Sequence, residues 1–112
     1  MPKKQAEHMN STLRIISYNI RYNNPADGVN AWPYRKEQVA ALLQRYLPDV
    51  IGLQEVVKPQ LDDLVARLPT WAWVGVGRGD GKCADEFAAI FYRRERFDLL
   101  ATDTFWLSAT PH

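Results

Sequence analysis

Residues 49–55 read Asp49-Val50-Ile51-Gly52-Leu53-Gln54-Glu55, a short apolar run that ends on a carboxylate. Its length and its branched side chains predict a buried strand, and such a strand rarely carries a glutamate in its interior. We therefore expect Glu55 at the exit of the strand. The residue types there suit a Mg²⁺ ligand, and they also suit a helix cap or a surface charge.

The composition is that of one ordinary domain. The chain has 112 residues, 46% apolar content and a formal net charge of +1. The length and apolar content fit a single core, and the low charge gives no indication of a nucleic-acid partner. A single cysteine, Cys83, rules out an intrachain disulfide and offers no zinc-site spacing. Residues 1–11 lack the apolar segment of a signal peptide, and no run is long enough to cross a bilayer. We expect a disordered tail over residues 1–11, no membrane partner and a cytoplasmic location.

A second strand is predicted over residues 13–20, where apolar residues fall on both faces. Near its end lies Asn19, whose amide could bind a phosphate oxygen or a metal-bound water, or could hold the following turn. A helix between Pro33 and Pro48 joins the two strands. If the strands are parallel, a right-handed crossover brings Asn19 and Glu55 to one edge of the sheet, where ligands of open α/β sheets bind.

Two predicted helices carry apolar stripes that should face the core. The stripe of the first comprises Val39, Leu42, Leu43, Tyr46 and Leu47, and that of the second, over residues 59–68, comprises Leu61, Leu64, Val65 and Leu68. Asp62 and Asp63 fall outside this second stripe. We expect both to be solvated charges near the start of the helix.

The remaining chain predicts strands separated by charged loops. A strand over residues 71–76 is followed by a loop with Arg78 and Lys82, which could bind an anion although the loop does not match a Walker phosphate motif. A strand over residues 86–93 then leads into a turn, and residues 97–107 are predicted to return as its antiparallel partner. The turn contains Arg93, Arg94, Glu95 and Arg96. Charge-rich turns are usually solvated, and we expect that here.

Several segments of the chain follow one another in a recognisable order. They are Ser17-Tyr18-Asn19-Ile20-Arg21-Tyr22, Asn30-Ala31-Trp32-Pro33 with Arg35-Lys36, Asp49 to Val56, Gly75-Val76-Gly77-Arg78, Ile90-Phe91-Tyr92-Arg93 and Thr104-Phe105-Trp106-Leu107-Ser108. Their order and spacing resemble the N-terminal half of the endonuclease/exonuclease/phosphatase family, the deoxyribonuclease-I-like fold. One departure is Asp85, which stands where the subgroup it resembles usually has glycine.

The resemblance implies an α/β (α+β) fold, half of a four-layer α/β/β/α sandwich with a mixed sheet and two helices. It also implies hydrolysis of phosphomono- or phosphodiesters with Mg²⁺, or Mn²⁺, as cofactor. Glu55 would be the metal-binding acid and Asn19 its companion, and both would be catalytic. Arg78 and Lys82 are the candidate substrate-binding residues. A near-neutral chain without a basic stripe favours a small phosphoester over a long nucleic acid.

Later motifs of the family do not occur in this sequence. The family continues with a His-x-Asp strand, a Gly-Asp-x-Asn turn and an Asp-His pair, whereas the two histidines here are His8 and His112. We therefore predict that residues 12–112 form an N-terminal half that is inactive alone, and that self-associates or pairs with the missing half. The alternative is a non-catalytic scaffold or binding domain, or a degenerate remnant, of the same fold.

Overall fold

The computed structural model describes residues 12–82 and 85–107, so the predicted tail and Cys83 lie outside the described residues. The elements are β1 (Ile15–Asn19), α1 (Lys36–Tyr46), β2 (Val50–Val56), α2 (Lys58–Arg67), β3 (Trp71–Val74) and β4 (Phe87–Arg93). Two 3₁₀ helices, Pro25–Asn30 and Trp32–Tyr34, lie between β1 and α1. This arrangement confirms the predicted α/β class.

The strands form one mixed sheet in the order β1-β2-β4-β3. β1 and β2 are parallel, with Asn19 opposite Gln54, as the strand-helix-strand pattern predicts. β4 is antiparallel to β2 on one side and to β3 on the other. The prediction of a returning strand over residues 97–107 is wrong: both edges of β4 are already paired, and this segment has no strand.

The helices cover one face of the sheet and build the core there. Its members include Ile51, Leu53, Trp71, Phe87 and Phe91 from the strands and Leu43, Leu61, Leu64 and Leu68 from the helical side. Burial of these side chains is the main stabilising contribution, at about 25 cal/mol per Å² of apolar surface. No helix within the described ranges is long and apolar enough to span a membrane.

The buried stripe of α1 is rotated from its predicted position. Val39, Ala40 and Leu43 are buried, whereas Leu42 and Tyr46 are 40% and 46% exposed. At 100° per residue the buried face is therefore centred toward Ala40 rather than toward Leu42. Two further residues predicted to be buried are also exposed. They are Leu47, which leaves the helix with φ +45°, and Val65 on α2.

The opposite face of the sheet is open within the described part of the chain. It carries Ile15, which is 62% exposed, and Ile90, which is 47% exposed. The residues that alternate with them are partly buried on β1 and mostly buried on β4. An open apolar face of this kind usually marks an interface. Self-association, or pairing with further sequence, stays a prediction.

Two arginines of the predicted turn, Arg93 at the end of β4 and Arg96 after it, are not simply solvated, contrary to the prediction. The guanidinium groups of Arg96 and Arg93 lie 2.8 Å and 3.4 Å from the carboxylate of Asp49. Asp49 is 3% exposed and also accepts the backbone N–H of Arg14 at 2.8 Å. A buried carboxylate needs such partners, and the turn supplies them.

Candidate active site at the carboxyl ends of β1 and β2

A β-bulge determines where Glu55 points. The pairing of β2 with β4 shifts register between Leu53 and Val56, and Glu55 has φ +61°. Regular alternation would place Glu55 on the core face with Leu53 and would expose Val56. Instead Leu53 and Val56 are both buried and Glu55 is half-buried. The extra residue of the bulge thus turns the carboxylate away from the core.

Asn19 is in direct contact with this carboxylate. Its side-chain Nδ2 donates to Glu55 Oε2 at 2.6 Å, and its Oδ1 accepts the backbone N–H of Arg21 at 3.0 Å. The backbone N–H of Tyr22 points to Glu55 Oε1 at 3.5 Å. The same amide therefore holds the turn after β1, as one of its two considered roles required, and orients Glu55. Binding of a phosphate oxygen or a metal-bound water by Asn19 stays a prediction.

The loop after β3 brings Arg78 to the same edge. A surface pocket of about 200 Å³ is lined by Glu55, Arg78, Glu86 and their neighbours. The guanidinium of Arg78 is largely exposed and lies 3.6 Å from the carboxylate of Glu86. Its backbone N–H donates to the carbonyl oxygen of Glu86 at 3.0 Å. Lys82 is exposed and does not line this pocket.

Asp85, which stands where the family pattern usually has glycine, adopts a backbone conformation that glycine favours. Asp85 has φ +61°, in the left-handed region, directly before the segment that pairs with Arg78. Aspartate is among the residues that tolerate this region. The turn can therefore form with aspartate in the glycine position.

Two buried or half-buried polar residues, which sequence reasoning missed, fix the loop after β1. Arg35 donates from Nη1 to the carbonyl oxygen of Ile20 at 3.0 Å and from Nε to that of Asn30 at 2.6 Å. Gln60 is fully buried and donates to the carbonyl oxygen of Arg21 at 2.8 Å. The only sequence signal for Gln60 was its place in the first turn of α2, where its side chain accepts the backbone N–H of Val57.

Further side chains hold the same loop. Asp63, predicted to be solvated, instead accepts the indole N–H of Trp32 at 2.8 Å. Asp27 accepts two hydrogen bonds from the guanidinium of Arg21, each at 3.1 Å. The hydrogen bond from Arg21 lowers the pKa of Asp27, and the same bond raises the pKa of Arg21. The loop is thereby tied to α2 and to itself.

The donor set at this edge fits part of a Mg²⁺ site. Mg²⁺ binds one or two protein carboxylates and keeps waters or substrate phosphates as its other ligands. Glu55 offers one half-buried carboxylate that lines an open pocket. Within residues 12–82 and 85–107 no three His, Cys, Asp or Glu side chains cluster to hold a metal. Asn19 turns its N–H group to Glu55, so here it orients the carboxylate of Glu55.

The chain is thus a mixed α/β domain in which an acid, Glu55, and an amide, Asn19, are paired at the carboxyl ends of the parallel strands β1 and β2. Residues 16–105 match the model of the endonuclease/exonuclease/phosphatase family, and the chain belongs to this family. The resemblance seen in the sequence is therefore confirmed.

Solved structures of the family share this fold. The endonuclease/exonuclease/phosphatase from Bacteroides vulgatus is 44% identical, with a TM-score of 0.85 over 88% of this chain and 38% of that one. A mannosyl-6-phosphatase of Bacteroides thetaiotaomicron is 40% identical, with a TM-score of 0.84 and the same coverage, 88% and 38%. TDP2 of D. rerio, in complex with a single-strand DNA product, is 25% identical, with a TM-score of 0.61 over 78% of this chain and 31% of that one. The chain spans less than two-fifths of the length of each.

Proposed function

We propose that this domain contributes Glu55 and Asn19 to a Mg²⁺-dependent site that hydrolyses phosphoesters, with Mn²⁺ as an alternative metal. The observation that carries the proposal is the 2.6 Å hydrogen bond between Asn19 Nδ2 and Glu55 Oε2 at the bulged end of β2. A bulge that diverts a single carboxylate from the core to a pocket is typical of a functional site. Membership of a family with phosphatase and TDP2 structures supports the same reaction class.

Each residue has a proposed role in that site. Glu55 binds the metal through its carboxylate, and Asn19 fixes the orientation of that carboxylate. Arg78 binds phosphate oxygens through its planar guanidinium, which suits a bidentate contact. Glu86, 3.6 Å from Arg78, would give up this contact when a phosphate binds. Lys82 adds positive charge to the same loop. The metal, when bound, polarises the phosphoryl group and stabilises its developing charge.

The proposed substrate is a small phosphoester, with a sugar phosphate as the favoured class. A net charge of +1 gives little attraction for a long polyanion. The mannosyl-6-phosphatase is 40% identical to this chain, whereas the TDP2 structure with DNA is 25% identical. The low net charge and the higher identity to the mannosyl-6-phosphatase both favour hydrolysis of a phosphomonoester on a small molecule.

Replacing Glu55 with glutamine is expected to remove most of the Mg²⁺ and Mn²⁺ binding of the chain. The substitution keeps the size of the side chain, but it takes away the anionic oxygen that a hard cation prefers. It also turns one of the two oxygens that face Asn19 Nδ2 and the Tyr22 N–H into an amide donor. Isothermal titration calorimetry with each metal measures the change, and we expect binding at least about tenfold weaker, or roughly 1.4 kcal/mol.

The matched control is Glu37→Gln, because Glu37 is an exposed glutamate on α1 that pairs with Arg67 and does not line the pocket beside Glu55. It should bind metal like the parent chain. If the parent chain and the Glu55→Gln variant bind metal equally well, the assignment of Glu55 as the metal ligand is wrong.

The 112-residue chain alone is expected not to accelerate phosphoester hydrolysis. Activation of water and protonation of the leaving oxygen need further groups, and the part of the chain that the structure describes contains no histidine. The measurement is release of product from a phosphomonoester and a phosphodiester reporter with Mg²⁺ present. Turnover that disappears in the Glu55→Gln variant would contradict the prediction. Absence of both turnover and metal binding would favour the non-catalytic scaffold.

A further inference from the structure

A second pocket lies in the loop between β1 and α1. It has a volume of about 410 Å³ and is lined by Pro25, Val29, Ala31 and Pro33 together with Tyr34 and Asn23. Its size falls within the range of about 300–1,000 Å³ that is usual for small-molecule sites. None of the roles proposed above uses it.

The pocket begins close to Glu55. The backbone nitrogen of Tyr22 is 3.5 Å from Glu55 Oε1, and one residue of chain spans at most about 3.6 Å. The backbone nitrogen of Asn23, a lining residue, is therefore within roughly 7 Å of the carboxylate. A substrate whose phosphate lies beside Glu55 can reach the pocket with the group to which the phosphate is attached.

The shape of this pocket is held by contacts already in place. Arg35 ties both ends of the loop through the carbonyl oxygens of Ile20 and Asn30. The ion pair of Arg21 with Asp27 closes the first 3₁₀ turn onto the end of β1. A pocket that is already formed binds its ligand without the cost of ordering a loop.

The lining combines an apolar surface with unused polar groups. Val29 is 82% exposed and Tyr34 is 71% exposed, although the loop that carries them is fixed. The Tyr34 hydroxyl and the Asn23 amide make no hydrogen bond with any described residue. A pyranose ring has a C–H face that packs on an aromatic ring and hydroxyl groups that such polar atoms can bind. Tyr34 is the one aromatic residue among those that line the pocket, so the ligand is offered a single ring.

We propose that this pocket binds the sugar ring of a hexose phosphate whose phosphate group lies beside Glu55. The inference rests on the proposed function for its substrate class. Tyr34 packs on the ring and Asn23 binds its hydroxyl groups, so this loop selects the leaving group while the sheet edge binds the phosphate.

A neutral sugar tests the pocket without the phosphate site. Methyl α-D-mannopyranoside is titrated without metal into the ¹⁵N-labelled chain, and amide shifts are followed by NMR. We expect shifts at Val29, Ala31 and the side-chain amide of Asn23. Tyr34→Ala should weaken the binding by about tenfold, because the ring contact is lost. Tyr34→Phe keeps the ring, so its affinity for the sugar should fall less than that of Tyr34→Ala.

Tyr46→Ala is the matched control, because Tyr46 is a 46% exposed tyrosine at the end of α1. It should bind the sugar like the parent chain. No shift in the loop at high sugar concentration, or shifts produced by thymidine but not by the glycoside, would overturn the proposal. Since the probe carries no phosphate and the sample no metal, failure here leaves the role of Glu55 untouched. Failure of metal binding likewise leaves the sugar result standing.

Discussion

Replacing Asp49 with asparagine is expected to lower the free energy of unfolding by about 2 kcal/mol at neutral pH, and replacement with alanine by about 4 kcal/mol. The carboxylate is 3% exposed and faces Arg96 at 2.8 Å and Arg93 at 3.4 Å. Both guanidinium groups are themselves mostly buried, at 17% and 18% exposure. Removing the carboxylate leaves two poorly solvated cations without this counter-charge, and chemical denaturation measures the loss.

The loss should depend on pH in a defined direction. Burial raises the pKa of Asp49, but hydrogen bonds from the Arg14 backbone and from Arg96, with the charges of Arg96 and Arg93, outweigh it and lower the pKa. The pKa is therefore lower in the folded chain than the value of about 3.9 expected when it is unfolded. A lowered pKa stabilises the fold above that value, and the stabilisation is lost as pH falls through the folded pKa. The difference between parent and Asp49→Asn should hold at pH 7 and shrink below about pH 4.

Asp62→Asn serves as the control for this experiment. Asp62 pairs with Lys58 on the surface of α2, where both side chains are about half exposed. Such a pair contributes at most about 0.5 kcal/mol. If Asp49→Asn costs no more than Asp62→Asn, or if its cost is unchanged at low pH, the buried charge cluster does not stabilise the fold as argued.

The order of elements was predictable because it depends on local patterns. Apolar runs and proline positions predicted β1, α1, β2 and α2, and the crossover rule placed Asn19 and Glu55 at one edge. The contact between the two side chains agrees with that placement. Periodicity could not give the order of strands in the sheet. Insertion of β4 between β2 and β3 depends on long-range pairing, and it removed the edge on which residues 97–107 were expected to pair.

Polar partners were the other part that the sequence did not reveal. A charged side chain looks the same in sequence whether water or a distant residue binds it, so Asp49, Asp63 and the turn arginines were expected to be solvated or went unnoticed. The bulge at Glu55 was equally hidden, because it appears only when β2 is paired with β4. Gln60 and Arg35 bind backbone carbonyl oxygens of the loop after β1, and the sequence does not show which carbonyl oxygen a side chain reaches.

Replacing Gly75 with alanine is expected to cost about 3 kcal/mol of folding free energy, among the largest effects of any conservative substitution in this chain. Gly75 has φ +149°, and an added Cβ would lie 2.7 Å from the carbonyl oxygen of Ala88 and 3.1 Å from Cα of Ala89. Both contacts are with the backbone of the central strand β4, which cannot move without disturbing the buried Phe87. Overpacking of this kind forces strands apart.

Two other glycines make the test specific, because they separate the clash from the backbone conformation. Gly28 has φ +62° and ψ −124°, a conformation that residues other than glycine rarely adopt, but no atom lies within 4 Å of an added Cβ. Gly28→Ala should therefore cost about 2 kcal/mol, from backbone strain alone. Gly52 has ordinary φ and only Gln54 Nε2 at 3.8 Å, so Gly52→Ala should be nearly neutral. Thermal and denaturant unfolding should therefore rank the losses of stability as largest for Gly75→Ala, smaller for Gly28→Ala and smallest for Gly52→Ala.

Gly75 also precedes Gly77, which pairs with Phe87, and Arg78, which is bonded to Glu86. Shifting this segment should displace Arg78 from the pocket that it shares with Glu55 and so weaken its proposed contact with phosphate. A Gly75→Ala chain as stable as Gly52→Ala would show that the close approach to β4 is not needed.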